Sequence, residues 1–346
     1  MIRITSNFNG PDQIKASEAP LVHEYLGNGQ STSAFVRKCL RSDLVILNID
    51  QRRLMLAALL RLIVPSARFR LVSVDLILRT PKTLIGRFKA FFKRILFSRV
   101  DCFILYFKNV QGYRRYYGIG PDRAVYVPFK VNGWEQIVAR PRGNSEGDYV
   151  LCAGRTLRDI DTFVEAMRRA GCPGMLLQQR RELLDAHGTS AWSGDLPPNL
   201  KLVIDDSDRL EDFIDFIAKA LLVVIPRFKH DIAASGISTY LVAMALNKCV
   251  IISEGPGADD VLEDQAIMVP PEHPEKLAEE IKNLWDDEER RARVASRGYE
   301  YAMSLGGYER LLSDILRVST DCFTDEVRSN SVQGDRASDE HVLDHG

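Results

Sequence analysis

The stretch His230-Asp-Ile-Ala-Ala-Ser-Gly-Ile-Ser-Thr-Tyr-Leu-Val-Ala-Met-Ala-Leu246, followed by Cys249-Val-Ile-Ile-Ser253, reads as a small-residue loop, a helix and a short buried strand. Ser235 and Gly236 stand where a helix begins, and Ile237, Tyr240, Leu241 and Met244 recur behind them at i, i+3, i+4 and i+7. A helix start carries unpaired N–H groups and a partial positive charge. With no bulky side chain in front, Ser235, Gly236, Ile237, Ser238 and Thr239 can receive a phosphate. Arg227, Lys229 and His230 just upstream add positive charge. His230 has no partner in sequence and reads as a surface residue rather than a base. The plainer alternative for 233–239 is a tightly packed helix start.

Outward from this stretch, strands alternate with helices. Strand-like runs at 149–153, 175–178, 200–204 and 221–225 precede 249–253, with helical patterns at 159–169, 210–220 and 238–246. Alternation of this kind predicts a parallel sheet covered on both faces. Three consecutive helices follow at 274–285, 287–303 and 308–318. The first half repeats the pattern, with strands at 2–6, 44–49, 69–75, 102–106 and 124–127 and helices at 31–40, 52–63, 83–97 and 111–117. The expectation is an α/β protein with two Rossmann-like domains facing each other across a cleft. They occupy 1–135 and 149–304 and are joined by a Gly/Pro-containing linker over 136–148. A helix over 305–320 and a polar, acidic tail over 321–346, expected to be disordered, complete the chain.

At 346 residues, with 45% apolar and 27% charged residues, the composition is that of a soluble globular protein. Cys39, Cys102, Cys152, Cys172, Cys249 and Cys322 are scattered, without a CxxC pair, which points to reduced thiols in a cytosolic protein and away from a zinc site. No signal peptide or 18-residue apolar span is evident. A P-loop signature is absent, and no G-x-G-x-x-G follows the first strand. The net charge of −1 conceals a basic block: residues 79–99 hold seven Lys or Arg and no acid. Within it, 82–97 alternates apolar and basic residues, which suits a surface touching anionic lipid headgroups. The plainer alternative is a core helix with one solvated face, and no nucleic-acid reader motif is present.

Other candidates sit at predicted strand ends, where ligands bind in such sheets. Gly154-Arg155 follows a strand and Arg158-Asp159 opens the next helix; a pair of guanidinium groups there suits a diphosphate. Glu254-Gly255-Pro256-Gly257 follows 249–253, and on the plain reading Asp259 and Asp260 cap a following helix. Asp75 ends a strand of the first domain, where a carboxylate can orient a hydroxyl or serve as base, or merely cap a turn.

With these residues in order, the chain resembles the retaining GT-B-fold glycosyltransferases of the large bacterial family 4 type, most clearly over 149–303. Tyr149-Val-Leu-Cys-Ala-Gly-Arg155 is similar to that family's strand ending in Gly-Arg, and Arg158 stands near its second cation. Ser235 to Ser253 is similar to its loop, Glu-Ala-Met helix and strand, and Gly257–Asp260 with Met268-Val-Pro-Pro271 to the segments that follow. The first domain matches more loosely, through Ser98-Arg-Val-Asp101, Tyr117-Gly-Ile119 and Val125-Tyr-Val-Pro128. Two family glutamates, eight residues apart, are replaced by Ala234 and Val242. The second normally holds the ribose, and a valine cannot accept its hydroxyl.

The resemblance implies a glycosyltransferase using a nucleotide-sugar donor, UDP-sugar by preference, and a glycan or lipid-linked glycan acceptor, without cofactor or metal. Arg155 and Arg158 would neutralise the diphosphate, and 235–239 would take its distal phosphate. Glu254 and Gly255 would face the sugar, Asp75 would assist the acceptor, and Gln179, Ile204 and Asp205 would lie near the nucleoside. A cytoplasmic protein, peripheral at the inner face of the membrane, is expected. A catalytically degenerate nucleotide-sugar binder, favoured by Ala234 and Val242, and a sugar-nucleotide epimerase of the same fold remain as alternatives.

Overall fold

The computed structural model describes residues 2–8, 21–27, 29–140, 147–207 and 209–322. The expected tail falls almost wholly outside them. In the first half, β1 (Ile2–Ser6), β2 (Leu21–Tyr25), α1 (Thr32–Arg41), β3 (Leu44–Asn48), α2 (Gln51–Ile63), β4 (Arg70–Val74), α3 (Leu84–Phe97), β5 (Cys102–Leu105), α4 (Gln111–Tyr117) and β6 (Ala124–Tyr126) succeed one another. Their strands form one sheet ordered β2-β1-β3-β4-β5-β6.

After α5 (Trp134–Val138), the second half runs β7 (Val150–Cys152), α6 (Ile160–Ala170), β8 (Gly174–Gln179), α7 (Arg181–His187), β9 (Leu200–Asp205), α8 (Leu210–Ala218), β10 (Leu222–Ile225), α9 (Ile237–Ala245), β11 (Cys249–Ser253), β12 (Ile267–Val269), α10 (Pro274–Asp286) and α11 (Glu288–Leu305). This sheet is ordered β12-β11-β10-β7-β8-β9.

Every strand pair in both sheets is parallel. The central strands are correspondingly apolar throughout: each residue of β10 and β11 is buried, as helices on both faces require. Strand order reverses between β1 and β3 and between β7 and β10. At such reversals the connections leave in opposite directions, opening a crevice beyond the carboxyl ends of the strands. Local signals fix the helix starts there. Asp159 caps α6 by accepting from Thr162 N at 3.1 Å, and Asp50 caps α2 by accepting from Arg53 N at 3.0 Å.

The structure departs from the sequence pattern in several places. β2 and β12 are sheet-edge strands, the latter of three residues, too short to show periodicity. The stretch read as a linker, 136–148, opens inside α5, and α7 follows β8 directly. No helix follows Asp259 and Asp260, so neither is a cap; the chain there makes successive turns. In α3 only Ala90 and Phe97 are buried, so the core-helix alternative for this segment does not hold.

The last described helix, 308–322, returns to the first domain. Its Leu311, Leu312, Ile315 and Leu316 pack with Ile4, Ile46, Val72, Val74 and Ile104 of the first sheet. Near its start, Val131 N donates to Gly306 O at 3.0 Å, so the two chain crossings between domains lie side by side.

Candidate active site

At the carboxyl end of β7 the chain turns back on a buried arginine. Gly154 takes φ +99°, and Arg158, 3% exposed, fills the space behind it. Arg158 donates Nε to Ala153 O at 3.1 Å, Nη1 to Thr156 O at 2.6 Å and Nη2 to Thr239 Oγ1 at 3.2 Å. Its backbone N–H donates to Thr189 Oγ1 at 3.0 Å, and that hydroxyl donates to Arg155 O at 2.7 Å. Burial, reinforced by the neighbouring Arg227 cation, lowers the Arg158 pKa to about 10, so the group stays charged at neutral pH.

The second turn meets the first at this guanidinium. Gly236, at φ +90°, precedes α9, and a Cβ placed on it would lie 3.6 Å from Arg158 Nη2. A Cβ on Gly154 would lie 2.5 Å from the same nitrogen and 2.9 Å from Thr239 Oγ1. Both glycines sit at positive φ, but the crowding differs: at Gly154 a Cβ would strike the guanidinium itself, whereas at Gly236 it would strike Ile225 Cγ2 at 2.6 Å and only touch Arg158. α9 thus opens beside the Arg158 guanidinium with no side-chain cap on its first N–H groups.

A second buried guanidinium stands next to Arg158, at the end of β10. Arg227, 1% exposed, donates Nη1 to Pro256 O at 2.9 Å and Nη2 to Ala233 O at 3.1 Å. Its backbone N–H donates to Ser253 Oγ at 3.2 Å, tying the ends of β10 and β11 together. Gly255, at φ +133°, lets the following turn lie against it: a Cβ there would be 3.2 Å from Nη1. Among the described residues, Arg227 Nε, Asp231 Oδ2 and Ser235 Oγ are buried polar atoms around this loop without a hydrogen-bond partner. Each such orphan costs about 1–3 kcal/mol, which a polar ligand would recover. Burial pushes the Asp231 carboxyl up to about 6, against the pull of Arg227, Lys82 and Arg79.

The first domain supplies the facing wall. Thr80 Oγ1 donates to His230 O at 2.6 Å, and Asn132 Nδ2 donates to Ser238 Oγ at 2.6 Å. Asp260 is a cross-domain acceptor: one oxygen takes Lys108 N at 2.8 Å and Asn109 N at 2.6 Å, the other Gly257 N at 2.6 Å. Ile232, Ala233 and Ala234 pack into the apolar cluster of the first domain. Asp75, ending β4, holds φ +51° and donates its N–H to Ile104 O at 3.0 Å. Tyr113 pins the loop after it, its hydroxyl donating to Leu76 O at 2.6 Å and accepting from Leu78 N at 3.0 Å. Burial raises the Asp75 carboxyl to about 6.

Of the residues singled out in the sequence, Gly154, Arg158, Gly236 and Thr239 meet at one point, with Ser235 and Ile237 on either side of Gly236. Arg155 is exposed and leans toward Gln179, its Nη1 3.4 Å from Oε1, on the β8 side of the crevice. Asp205 is 7% exposed and accepts from Ser207 N at 3.1 Å and Ser207 Oγ at 2.7 Å, whereas Ile204 is 48% exposed. Glu254 is exposed at the end of β11. Ser238 has its hydroxyl engaged by Asn132, and Val242 is fully buried in the second core. Asp75 stands apart on the facing domain. Arg227 stands out in the sequence only as one of three basic residues ahead of the loop. Its burial, and the buried Asp231 oxygen beside it, are not encoded there, because a charged residue after the Val223–Pro226 apolar run is by default a surface turn.

Residues 199–301 match the family described as glycosyl transferases group 1. No curated protein matches the chain in sequence. Among solved structures, the HepE protein of Anabaena in complex with UDP superposes with a TM-score of 0.61 at 14% identity, over 92% of this chain and 99% of that one. Sucrose-phosphate synthase from Thermosynechococcus elongatus gives 0.60 at 15% identity, over 93% and 89%. A UDP-forming α,α-trehalose-phosphate synthase from Burkholderia xenovorans gives 0.56 at 12%, over 85% and 80%. At these identities the likeness is one of fold: two parallel six-stranded α/β domains in the GT-B arrangement.

Proposed function

We propose that this GT-B-fold chain, whose residues 199–301 match the glycosyl transferases group 1 family, moves a sugar from a nucleoside diphosphate sugar to a hydroxyl of a glycan or lipid-linked acceptor, with retention of configuration. The observation that carries this is the meeting of the Gly154 and Gly236 turns on the Arg158 guanidinium. Breaking a sugar–diphosphate bond leaves negative charge on the departing phosphate, so stabilising the leaving group is the main catalytic demand. Arg158 and Arg227 give fixed buried charge, Arg155 an exposed one, and the N–H groups of 237–239 with the unpaired Ser235 hydroxyl receive the distal phosphate. Charge neutralisation by these groups requires no metal ion. On the sugar side, Glu254 and Gly255 are joined by Asp231, whose unpaired oxygen offers a substitute for the carboxylate that Ala234 lacks. Gln179, Ile204 and Asp205 border the nucleoside, and uridine is favoured because the HepE structure holds UDP.

Titrating UDP-, GDP- and ADP-sugars by calorimetry tests the donor assignment. Heat with a UDP-sugar, weakened about tenfold in Arg155→Ala, is expected for loss of one solvent-facing guanidinium contact. No heat with any of the three would overturn it. Ala234 and Val242 favour a second reading, a nucleotide-sugar binder without turnover; binding with no transfer to any membrane-extract acceptor would select it.

Asp75 is proposed to receive the acceptor proton, which it can do only as carboxylate. With its pKa raised to about 6, kcat/KM should rise with pH through that region and level off above it. Asp75→Asn should remove this limb and lower the plateau about a hundredfold. An unchanged pH profile in the variant would exclude Asp75 as base. The acceptor is proposed to be held at a membrane surface reached through 82–97.

A further inference from the structure

α3 is built inside out. Its inner stripe is Gly86, Ala90, Lys93 and Phe97, in which Lys93 Nζ donates to Gln51 Oε1 of α2 at 3.0 Å and Phe97 packs edge-on against Phe103 at 6.0 Å. The large apolar side chains point to solvent: Leu84 is 81% exposed, Ile85 69%, Phe88 64%, Phe91 58%, Phe92 51% and Ile95 39%. The three phenylalanines hold one another, with Phe88–Phe92 centroids 4.7 Å apart and Phe91–Phe92 6.0 Å. α2, which packs on α3, also exposes Leu59, Leu62 and Ile63, the last 64% exposed. A contiguous apolar patch of this kind marks a surface that something covers. No described helix is long and apolar enough to cross a membrane, so the patch is not part of a span.

We propose that the α2–α3 face inserts into the headgroup region of an anionic lipid bilayer, with α3 lying in the membrane plane. Charge selects this occupant. Lys82, Arg87, Lys89 and Arg94 are all exposed around the apolar side chains, and 79–99 contains no acidic residue to offset them. A second copy docking by two-fold symmetry would bring this basic border against itself, whereas phosphate headgroups neutralise it while the acyl region takes the rings.

The placement of the helix gives the contact a purpose. Thr83 caps α3 by accepting from Gly86 N at 3.0 Å, and the residues just before it already touch the second domain. Thr80 donates to His230 O at 2.6 Å, and a Cβ on Gly188 would lie 2.9 Å from Arg79 Nη2. The docked end of α3 is thus at the rim of the cleft. Bilayer contact sets the cleft mouth at headgroup height, where the hydroxyl of a lipid-linked acceptor lies. This deepens the acceptor assignment above and rests on it only for that last step.

The test is co-sedimentation of the full chain with vesicles of phosphatidylcholine alone and of phosphatidylcholine mixed equally with phosphatidylglycerol, at low and high salt. The protein should pellet with the mixed vesicles and be released by salt. Phe88→Ser/Phe91→Ser/Phe92→Ser and Arg87→Glu/Lys89→Glu should each weaken binding by about tenfold or more. These positions are exposed, so thermal unfolding should match wild type. UDP titration run in parallel separates the two proposals: wild-type protein that binds UDP but stays in the supernatant with mixed vesicles overturns the docking alone. Equal pelleting of the triple serine variant overturns it too, as does a concentration-dependent dimer that the same variant abolishes.

Discussion

Arg158→Met is expected to lower transfer from the proposed nucleotide donor by about a hundred- to a thousandfold, the range found when one fixed donor to a developing anion is removed. Methionine keeps much of the apolar volume of the arginine stem and deletes the charge. The loss is structural as well as electrostatic, because Ala153 O, Thr156 O and Thr239 Oγ1 each lose their guanidinium partner. Unsatisfied groups of this kind cost about 1–3 kcal/mol each, so a fall in the unfolding midpoint accompanies the kinetic defect. Single-turnover kinetics at a temperature where circular dichroism shows the variant folded separates the two effects. A folded Arg158→Met protein with wild-type transfer rates would remove this residue from the donor site.

The second large effect is expected from a single methyl group. Gly154→Ala places a Cβ 2.5 Å from Arg158 Nη2 and 2.9 Å from Thr239 Oγ1, at φ +99°. The guanidinium cannot move aside cheaply, since it is buried and held by three acceptors. Backbone strain at such an angle adds about 1–3 kcal/mol. Loss of measurable UDP heat in calorimetry, with a lowered melting temperature, is the expected outcome. Gly171→Ala is the matched control: it has φ +74° but nothing within 4 Å of the added Cβ. It should show modest strain and unchanged nucleotide binding. If the two alanine variants bind UDP alike, the crowding at Gly154 has no role in the site.

How far the fold shows through in the residues depends on burial. β3, β5, β10 and β11 lie inside their sheets and read as unbroken apolar runs, because helices cover both of their faces. β2, Leu21-Val-His-Glu-Tyr25, pairs on one side only and carries charge, so it offers no such run. The amphipathic pattern of α3 is plain in sequence, but periodicity gives the contrast between faces and not which one meets the core. The Gly154–Arg158 and Ser235–Thr239 turns are legible as chemistry because glycine and hydroxyl residues follow strand ends. That Arg158 lies under both turns, while Arg155 leans to the β8 side, depends on side-chain direction that spacing does not encode. Arg227 is legible as one of several basic residues ahead of the loop, but its burial is not: a charged residue is rarely 1% exposed, so it is not sought beneath a loop.

The return of the chain to the first domain constrains how the halves can move. The outgoing crossing at Val131 and the incoming one at Gly306 are hydrogen-bonded at 3.0 Å, and a Cβ on Gly307 would lie 3.0 Å from the Trp134 ring. Two tethers laid along one line act as the pin of a door. Twisting and sliding are suppressed, and swing about a single axis remains the soft coordinate. Any swing that parts the two halves therefore lifts the Asp260 carboxylate from the amides of Lys108 and Asn109 in the same stroke.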